Sequence, residues 1–521
     1  MVISPGSRSA ALAIAASSHP DIETRVVIDE RSAAFHALGA ARADGRPAVV
    51  LCTSGTAGAN FFPAIVEADL ACVPLIAITA DRPSELQGVG ANQTIDQIEM
   101  FGSKVRAFAS IEAPGADRDL NTEWRRALAR LTGAATGISP GPVHLNLRFR
   151  EPTVPVTHDG RTEGVAYPHP TPRIGEVDSS TDAEPDIDLP RLSAERGLVV
   201  AGDGDYDRET LEELAAGLGW PVLATVLSGM RGGTGVSGYH HLLADGIPQR
   251  LRPETVVAVG AIGPSTRLES LISSASQRVR VDRWGRAIDP RRVATHILRA
   301  DVNDVLRRVD GEADPGWGEG WALADRARRR EIDQILTRST EMTGAAVAWS
   351  LDRVDWKTMV VASSLPIREV DAHVHRRGDV FANRGASGID GFVSTALGVA
   401  GTRPRTLALS GDLSLLHDGN GFLHDADIAV TFVVIDNRGG GLFDSLPQAT
   451  HAPGYERLFV TDPQRDLSVF AEFHGLRYLE ASDRDGLIRI AAECLDRPGK
   501  HLIRVPVDRG ADLAMRAQLD G

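Results

Sequence analysis

The chain has 521 residues, 42% of them apolar and 24% charged, and a formal net charge of −14. That is the composition of a soluble globular protein of about three domains, and its acidic balance argues against sequence-independent nucleic-acid binding, which needs a basic face to displace counterions. No run approaches the roughly 18 apolar residues of a membrane span. Three cysteines (Cys52, Cys72, Cys494) form neither a disulfide framework nor a zinc spacing, so a cytoplasmic location is expected.

In chain order, Arg8 and the run 9–16 loosely imitate a secretory signal, but Pro5-Gly6 sits in the supposed basic region and the run is mostly alanine. Short apolar runs at 26–28, 48–52, 74–79 and 142–147 read as strands, with helical patterns over 32–43, 59–71 and 123–131 between them. Continuous apolar strands separated by helices indicate a parallel sheet covered on both faces. Residues 156–190 lose all apolar period and are rich in Pro, Asp, Thr and Gly, which marks a linker. Further strands are expected at 197–201, 221–226, 255–259 and 278–281, then a charged helix over 322–336. A last set follows at 358–362, 406–410, 428–435 and 501–505. The expectation is three α/β domains in series, over 1–155, 191–320 and 321–521.

Gly411-Asp412 closes one expected strand and Asn437 follows the next, so one crossover brings both to the same carboxyl edge, where open α/β sheets bind ligands. A carboxylate, an amide oxygen and a free backbone carbonyl suit a hard cation such as Mg²⁺, and Gly439-Gly440-Gly441 lets backbone approach a diphosphate. Taken singly, these are a turn and a loop. Asp29-Glu30-Arg31, after the run 26–28, places a second carboxylate at a strand end, where a lone Glu ordinarily serves as a surface salt-bridge partner.

Gly-Asp followed 25 residues later by Asn resembles the metal-diphosphate motif of thiamine-diphosphate enzymes. Further strings fit one family of them: Ser4-Pro5-Gly6-Ser7-Arg8, Asp29-Glu30-Arg31-Ser32, Thr53-Ser54-Gly55-Thr56-Ala57, Ala80-Asp81-Arg82-Pro83, Gly90-Ala91-Asn92-Gln93-Thr94, the run from Asn383 to Gly391, and Gly411-Asp412-Leu413-Ser414. The chain resembles the 2-succinyl-5-enolpyruvyl-6-hydroxy-3-cyclohexene-1-carboxylate (SEPHCHC) synthase family of menaquinone biosynthesis along almost its whole length, tightly in the first 100 residues and over about 363–443.

The resemblance implies three doubly wound α/β domains of the thiamine-diphosphate enzyme type: pyrimidine-binding (1–155), central (191–320) and diphosphate-binding (321–521). It implies decarboxylation of 2-oxoglutarate on thiamine diphosphate and addition of the four-carbon carbanion to isochorismate, with CO2 but no pyruvate released. It also implies a homodimer or homotetramer with active sites between subunits. Glu30 would contact N1′ of the aminopyrimidine, a role for a carboxyl able to share a proton. Thr53, Ser54, Gly55, Ser387, Gly388, Ile389, Leu413, Ser414 and Gly440 would touch the cofactor. Asp412, Asn437 and the Gly439 carbonyl would ligate Mg²⁺ or Mn²⁺. Leu442 would hold the cofactor bent, or is plain core packing.

Both implied substrates carry two carboxylates, which the planar fork of arginine holds well. The motifs single out Arg8, Arg82, Arg267, Arg368 and Arg384, with Ser7, Asn92, Gln93 and Ser364 as neutral partners. Ser364 and Arg368 stand four apart, so one helical turn would point them the same way, with Pro366 allowing a helix start between them.

The chain departs from the pattern twice. Met1-Val2-Ile3 falls inside the expected first strand, so a helix that normally precedes it is absent or lies outside this sequence. Asp436 stands where many relatives have Asn. Two other readings compete: another thiamine-diphosphate carboligase or decarboxylase of 2-oxo acids, and a catalytically silent protein of the same fold. A nicotinamide dehydrogenase fails for want of a G-x-G-x-x-G turn after a strand.

Overall fold

The computed structural model describes residues 1–112, 121–154, 191–233, 235–424 and 427–520. The expected linker, 156–190, lies outside them. The described residues hold three parallel sheets. The first comprises Val2–Ile3 (β1), Arg25–Val26 (β2), Ala48–Cys52 (β3), Leu75–Asp81 (β4), Phe108–Ile111 (β5) and Pro142–Arg148 (β6), in the order β2-β1-β3-β4-β6-β5. The second comprises Gly197–Ala201 (β7), Val222–Ala224 (β8), Thr255–Val259 (β9), Gln277–Val281 (β10) and His296–Leu298 (β11), in the order β11-β10-β9-β7-β8. The third comprises Thr358–Val361 (β12), Asp379–Phe381 (β13), Thr406–Gly411 (β14), Val430–Asp436 (β15), Arg477–Glu480 (β16) and Lys500–Pro506 (β17), in the order β13-β12-β14-β15-β17-β16.

Every residue of β4, β7, β9 and β12 is buried, as strands covered by helices on both faces must be. The expected strand over 26–28 is displaced: pairing stops at Val26, a single bridge joins Val27 to His424, and Ile28 is 65% exposed. Asp29 then caps the helix Glu30–Asp44, accepting from the Ser32 amide at 3.2 Å, which fixes Glu30 as the first helical residue.

The chain divides into two compact units that do not follow sequence order. The first takes the described residues of Met1–Asp186 together with Gly385–Thr402 and Asp418–Asp427; the second takes those of Ile187–Arg384, Arg403–His417 and Ile428–Gly521. Within the first, the helices Glu30–Asp44 and Phe392–Ala400 lie backbone to backbone. A Cβ on Gly39 would collide with the Thr395 carbonyl, and one on Gly398 with the His36 carbonyl.

Within the second unit, buried Arg231 joins the segment after β8 to the helix Leu365–His373. It donates to the Val370 carbonyl at 3.2 Å and to Asp371 Oδ1 at 2.8 Å, while the Tyr239 hydroxyl donates to Asp371 Oδ2 at 2.6 Å. The three cysteines are buried free thiols. No helix among the described residues is long and apolar enough to cross a membrane.

Candidate active site

In the first unit the named residues gather at the carboxyl ends of β1, β3 and β4. Register sets this: Ile3 pairs with Leu51 and Cys52 with Thr79, so the segments after all three strands emerge side by side. Gly6 packs so closely on Thr53 that a Cβ there would overlap its side chain. Arg82 donates to the Ser54 hydroxyl and to the Gln93 carbonyl (3.0 Å), and the Gln93 amide donates to the Ser54 carbonyl at 3.0 Å. The Gly55 amide donates to Gln97 Oε1 at 3.0 Å. Arg8, largely buried, donates to the Phe149 carbonyl at 2.9 Å and lies near enough to Arg82 that its charge, after burial, depresses the Arg82 pKa. Ser7 begins the turn into the helix Ala10–Ser18, its carbonyl accepting from the Ala10 amide. Asn92 is exposed beside this group.

Glu30, half-buried, stands close enough to Cys52 to help burial push that thiol's pKa up. Ser387, Gly388 and Ile389 are exposed on the loop that leads into the helix Phe392–Ala400. That loop is held from below by a residue that sequence reasoning missed. Buried Glu67 accepts from the Gly385 and Ala386 amides, each at 2.7 Å. Gln97 was missed as well. Its side-chain amide, 1% exposed, donates to the Ala80 carbonyl (3.2 Å) and Asn146 Oδ1 (2.9 Å), tying the Gly55 turn to β4 and β6. A lone Glu inside a helix and a lone Gln in a loop carry no pattern that would have marked either.

In the second unit, Gly411 of β14 pairs with Ile435 of β15, so Asp412 and Asn437 leave adjacent strand ends, as expected. Asp412 begins a short helix, Asp412–His417, that also carries Leu413 and Ser414. Its Oδ1 accepts from the Leu413 amide at 2.8 Å, whereas the buried Oδ2 has no hydrogen-bond partner among the described residues. Burial, reinforced by the charge of Asp436, pushes the Asp412 pKa up to about 7. Asp436 itself is engaged by Arg504, whose Nε donates to it at 2.6 Å.

The Asn437 side chain lies over Gly441, where a Cβ would crowd its amide nitrogen. Gly439 has φ +123° and packs on the Val460 carbonyl where no side chain fits, and the Gly440 amide donates to that same carbonyl at 2.7 Å. Leu442 is half-buried on the turn Gly441–Ser445.

A cavity of about 600 Å³ in this unit brings together Arg267, Arg368 and Arg384. Arg267 sits in the first turn of the helix Thr266–Ser274, Arg368 on the helix Leu365–His373, and Arg384 donates to the Ser363 hydroxyl at 3.2 Å. Ser364 departs from the expected geometry. It precedes its helix with φ +75°, outside the helical turn, so it does not share a helical face with Arg368. The cavity also takes in Arg516 and Asp520 from the helix Arg509–Asp520, about 150 residues downstream of Arg368, which no motif had flagged.

Residues 1–100 match the family model described as the thiamine pyrophosphate enzyme N-terminal TPP binding domain, and residues 172–359 match the middle domain of thiamine pyrophosphate enzymes. The chain is 40% identical over 99% of its length, and 94% of the relative's, to a 2-succinyl-5-enolpyruvyl-6-hydroxy-3-cyclohexene-1-carboxylate synthase of Thermobifida fusca. It is 38% identical over 99% and 94% to a synthase of the same name from Rubrobacter xylanophilus, and 34% identical over 98% and 92% to one from Listeria monocytogenes.

Proposed function

The chain belongs to the SEPHCHC synthase family of thiamine-diphosphate enzymes, and on that premise we propose that it decarboxylates 2-oxoglutarate and joins the remaining four-carbon unit to isochorismate, releasing CO2. The observation that carries the substrate class is the convergence of Arg267, Arg368 and Arg384 on one cavity. In an acidic protein such a cavity is a local cationic pocket suited to carboxylates. We assign pyrimidine binding to residues 1–155, a central domain to 191–320 and diphosphate binding to 321–521, in a cytoplasmic homodimer or homotetramer with active sites between subunits.

Thiamine diphosphate, when bound, supplies the electron sink for the carbanion left by loss of CO2. Glu30 would hold or release a proton at the pyrimidine nitrogen from its half-buried seat at the start of the helix Glu30–Asp44. Thr53, Ser54, Gly55, Ser387, Gly388 and Ile389 orient the pyrimidine side, and Leu413, Ser414, Gly440 and Leu442 the diphosphate side. The fit to a divalent cation rests on Asp412. A buried carboxylate oxygen without a partner is costly, and a metal ion satisfies it. Asp412, Asn437 and the Gly439 carbonyl are an all-oxygen donor set that suits Mg²⁺ or Mn²⁺. Ser7, Arg8, Arg82, Asn92, Gln93, Ser364 and the three cavity arginines hold the two substrates.

The test is isochorismate consumption by the purified chain with thiamine diphosphate and Mg²⁺. Consumption that requires 2-oxoglutarate and fails with pyruvate is expected. Turnover with pyruvate would make it a different carboligase, and cofactor binding without turnover would make it catalytically silent.

A further inference from the structure

One wall of the arginine-lined cavity is built by the helix Arg509–Asp520. Arg267 is already occupied there: Nη2 meets Asp520 Oδ2 at 2.7 Å, and Nη1 donates to the His240 carbonyl at 2.7 Å. Arg516 is occupied too, by Glu369 (2.9 Å) and Asp512. The guanidinium of Arg368 makes no hydrogen bond or ion pair among the described residues. Burial, and then the nearby charge of Arg516, lower its pKa.

His240, His241 and Asp520 offer three potential metal-ligand atoms within 4.8 Å of one another. A cation is nevertheless disfavoured there, because Arg267 holds the Asp520 carboxylate while Arg368 and Arg516 line the same cavity. The local field favours an anion.

We propose that Asp520 is a built-in carboxylate that occupies Arg267 until a ligand carboxylate displaces it, which makes the Arg509–Asp520 helix a selector for dicarboxylates. This rests on the reading of the cavity as a carboxylate site. One carboxylate of the ligand seats on Arg368, and a monocarboxylate stops there with the Asp520–Arg267 pair intact. A second carboxylate takes Arg267 and releases Asp520, whose side chain is 43% exposed and regains hydration as it leaves. Two charges on the ligand are thus read in sequence, by an unpaired arginine and by a paired one. Asp520 acts through Arg267 and is a positioning residue.

Calorimetric titration of the full chain with glutarate, and with butyrate as the one-carboxylate control, tests this. Asp520→Asn removes the internal competitor and is expected to bind glutarate about fivefold more tightly, the scale of a partly exposed ion pair, while butyrate affinity changes less than about twofold. Asp520→Glu restores the native values. Arg267→Gln, a second variant should the first fail to fold, is expected to erase the preference for glutarate over butyrate. Unchanged or weaker glutarate binding by Asp520→Asn overturns the inference and leaves the cavity's assignment standing. Failure of glutarate to bind even the native chain overturns both.

Discussion

The two candidate clusters treat their polar groups in opposite ways. At the carboxyl edge of the first sheet, Arg82, Ser54, Gln93, Gly55 and Gln97 are bound to one another or to nearby backbone. Around the third sheet, the Asp412 Oδ2 and the Arg368 guanidinium are held in place without partners among the described residues. Polar groups satisfied by the protein pre-organise a surface at little cost, whereas a buried oxygen without a partner, as at Asp412, is costly until a ligand satisfies it, and an exposed unpaired guanidinium, as at Arg368, is open to a ligand. The first cluster is thus bonded within itself, whereas the second, though Arg267 and Arg516 there are paired, leaves these two groups for a ligand to complete. Glu30 departs from the rule of its own unit: its carboxyl accepts no hydrogen bond among the described residues.

That exception supports the prediction with the largest effect. Glu30→Gln keeps size and polarity but cannot carry the proton, so turnover is expected to fall by about 10²–10⁴-fold with the melting temperature unchanged. Retained turnover, followed by isochorismate consumption, would return Glu30 to the ordinary surface carboxylates.

Second comes Asp412→Asn. It is expected to weaken Mg²⁺-dependent cofactor binding by at least about 100-fold, the upper range for losing even an indirect metal partner. In metal-free protein the same change stabilises the fold, with a definite pH dependence. A carboxyl whose pKa rises from 3.8 unfolded to about 7 folded penalises the native state progressively as pH climbs between those values. Native protein is therefore expected to melt below Asp412→Asn at pH 8 and level with it near pH 4. Parallel melting curves across that window would mean that the carboxyl is compensated in the fold, and the contrast between the clusters would narrow.

What the sequence made legible divides along the same physical lines. Central strands such as β7 and β9, buried on both faces, announce themselves as unbroken apolar runs. The edge strands β5, β11, β13 and β16 did not: Phe-Ala-Ser-Ile, His-Ile-Leu, Asp-Val-Phe and Arg-Tyr-Leu-Glu are short and carry polar residues, and pairing on one side asks little of their composition. Asp412 and Asn437 were legible because parallel register turns a spacing in the chain into neighbouring strand ends. Glu67 and Gln97 were not, since each works through backbone amides or carbonyls that no side-chain pattern encodes. Asp520 was hidden for a third reason, because tertiary packing alone brings it to Arg267. The inversion at Ser364 is of the same kind, a positive φ that the spacing to Arg368 could not reveal.

The smallest expected effect gives the sharpest comparison, because it sets one arginine from each cluster against the other. Arg82→Ala removes the donor to the Ser54 hydroxyl and the Gln93 carbonyl, so it is expected to cost about 1–3 kcal/mol of stability. Arg368→Ala removes a cation that contributes no internal bond and is repelled by Arg516, so its stability is expected to stay within about 0.5 kcal/mol of native or to rise. Ligand affinity should separate the pair in the other direction. Glutarate titrated into Arg368→Ala loses about tenfold or more in affinity, as befits a charge-assisted contact made only to ligand. If instead Arg368→Ala unfolds more easily than Arg82→Ala, its guanidinium is a structural strut, and the idea of a site completed by its ligand fails at the residue where it is most exposed to test.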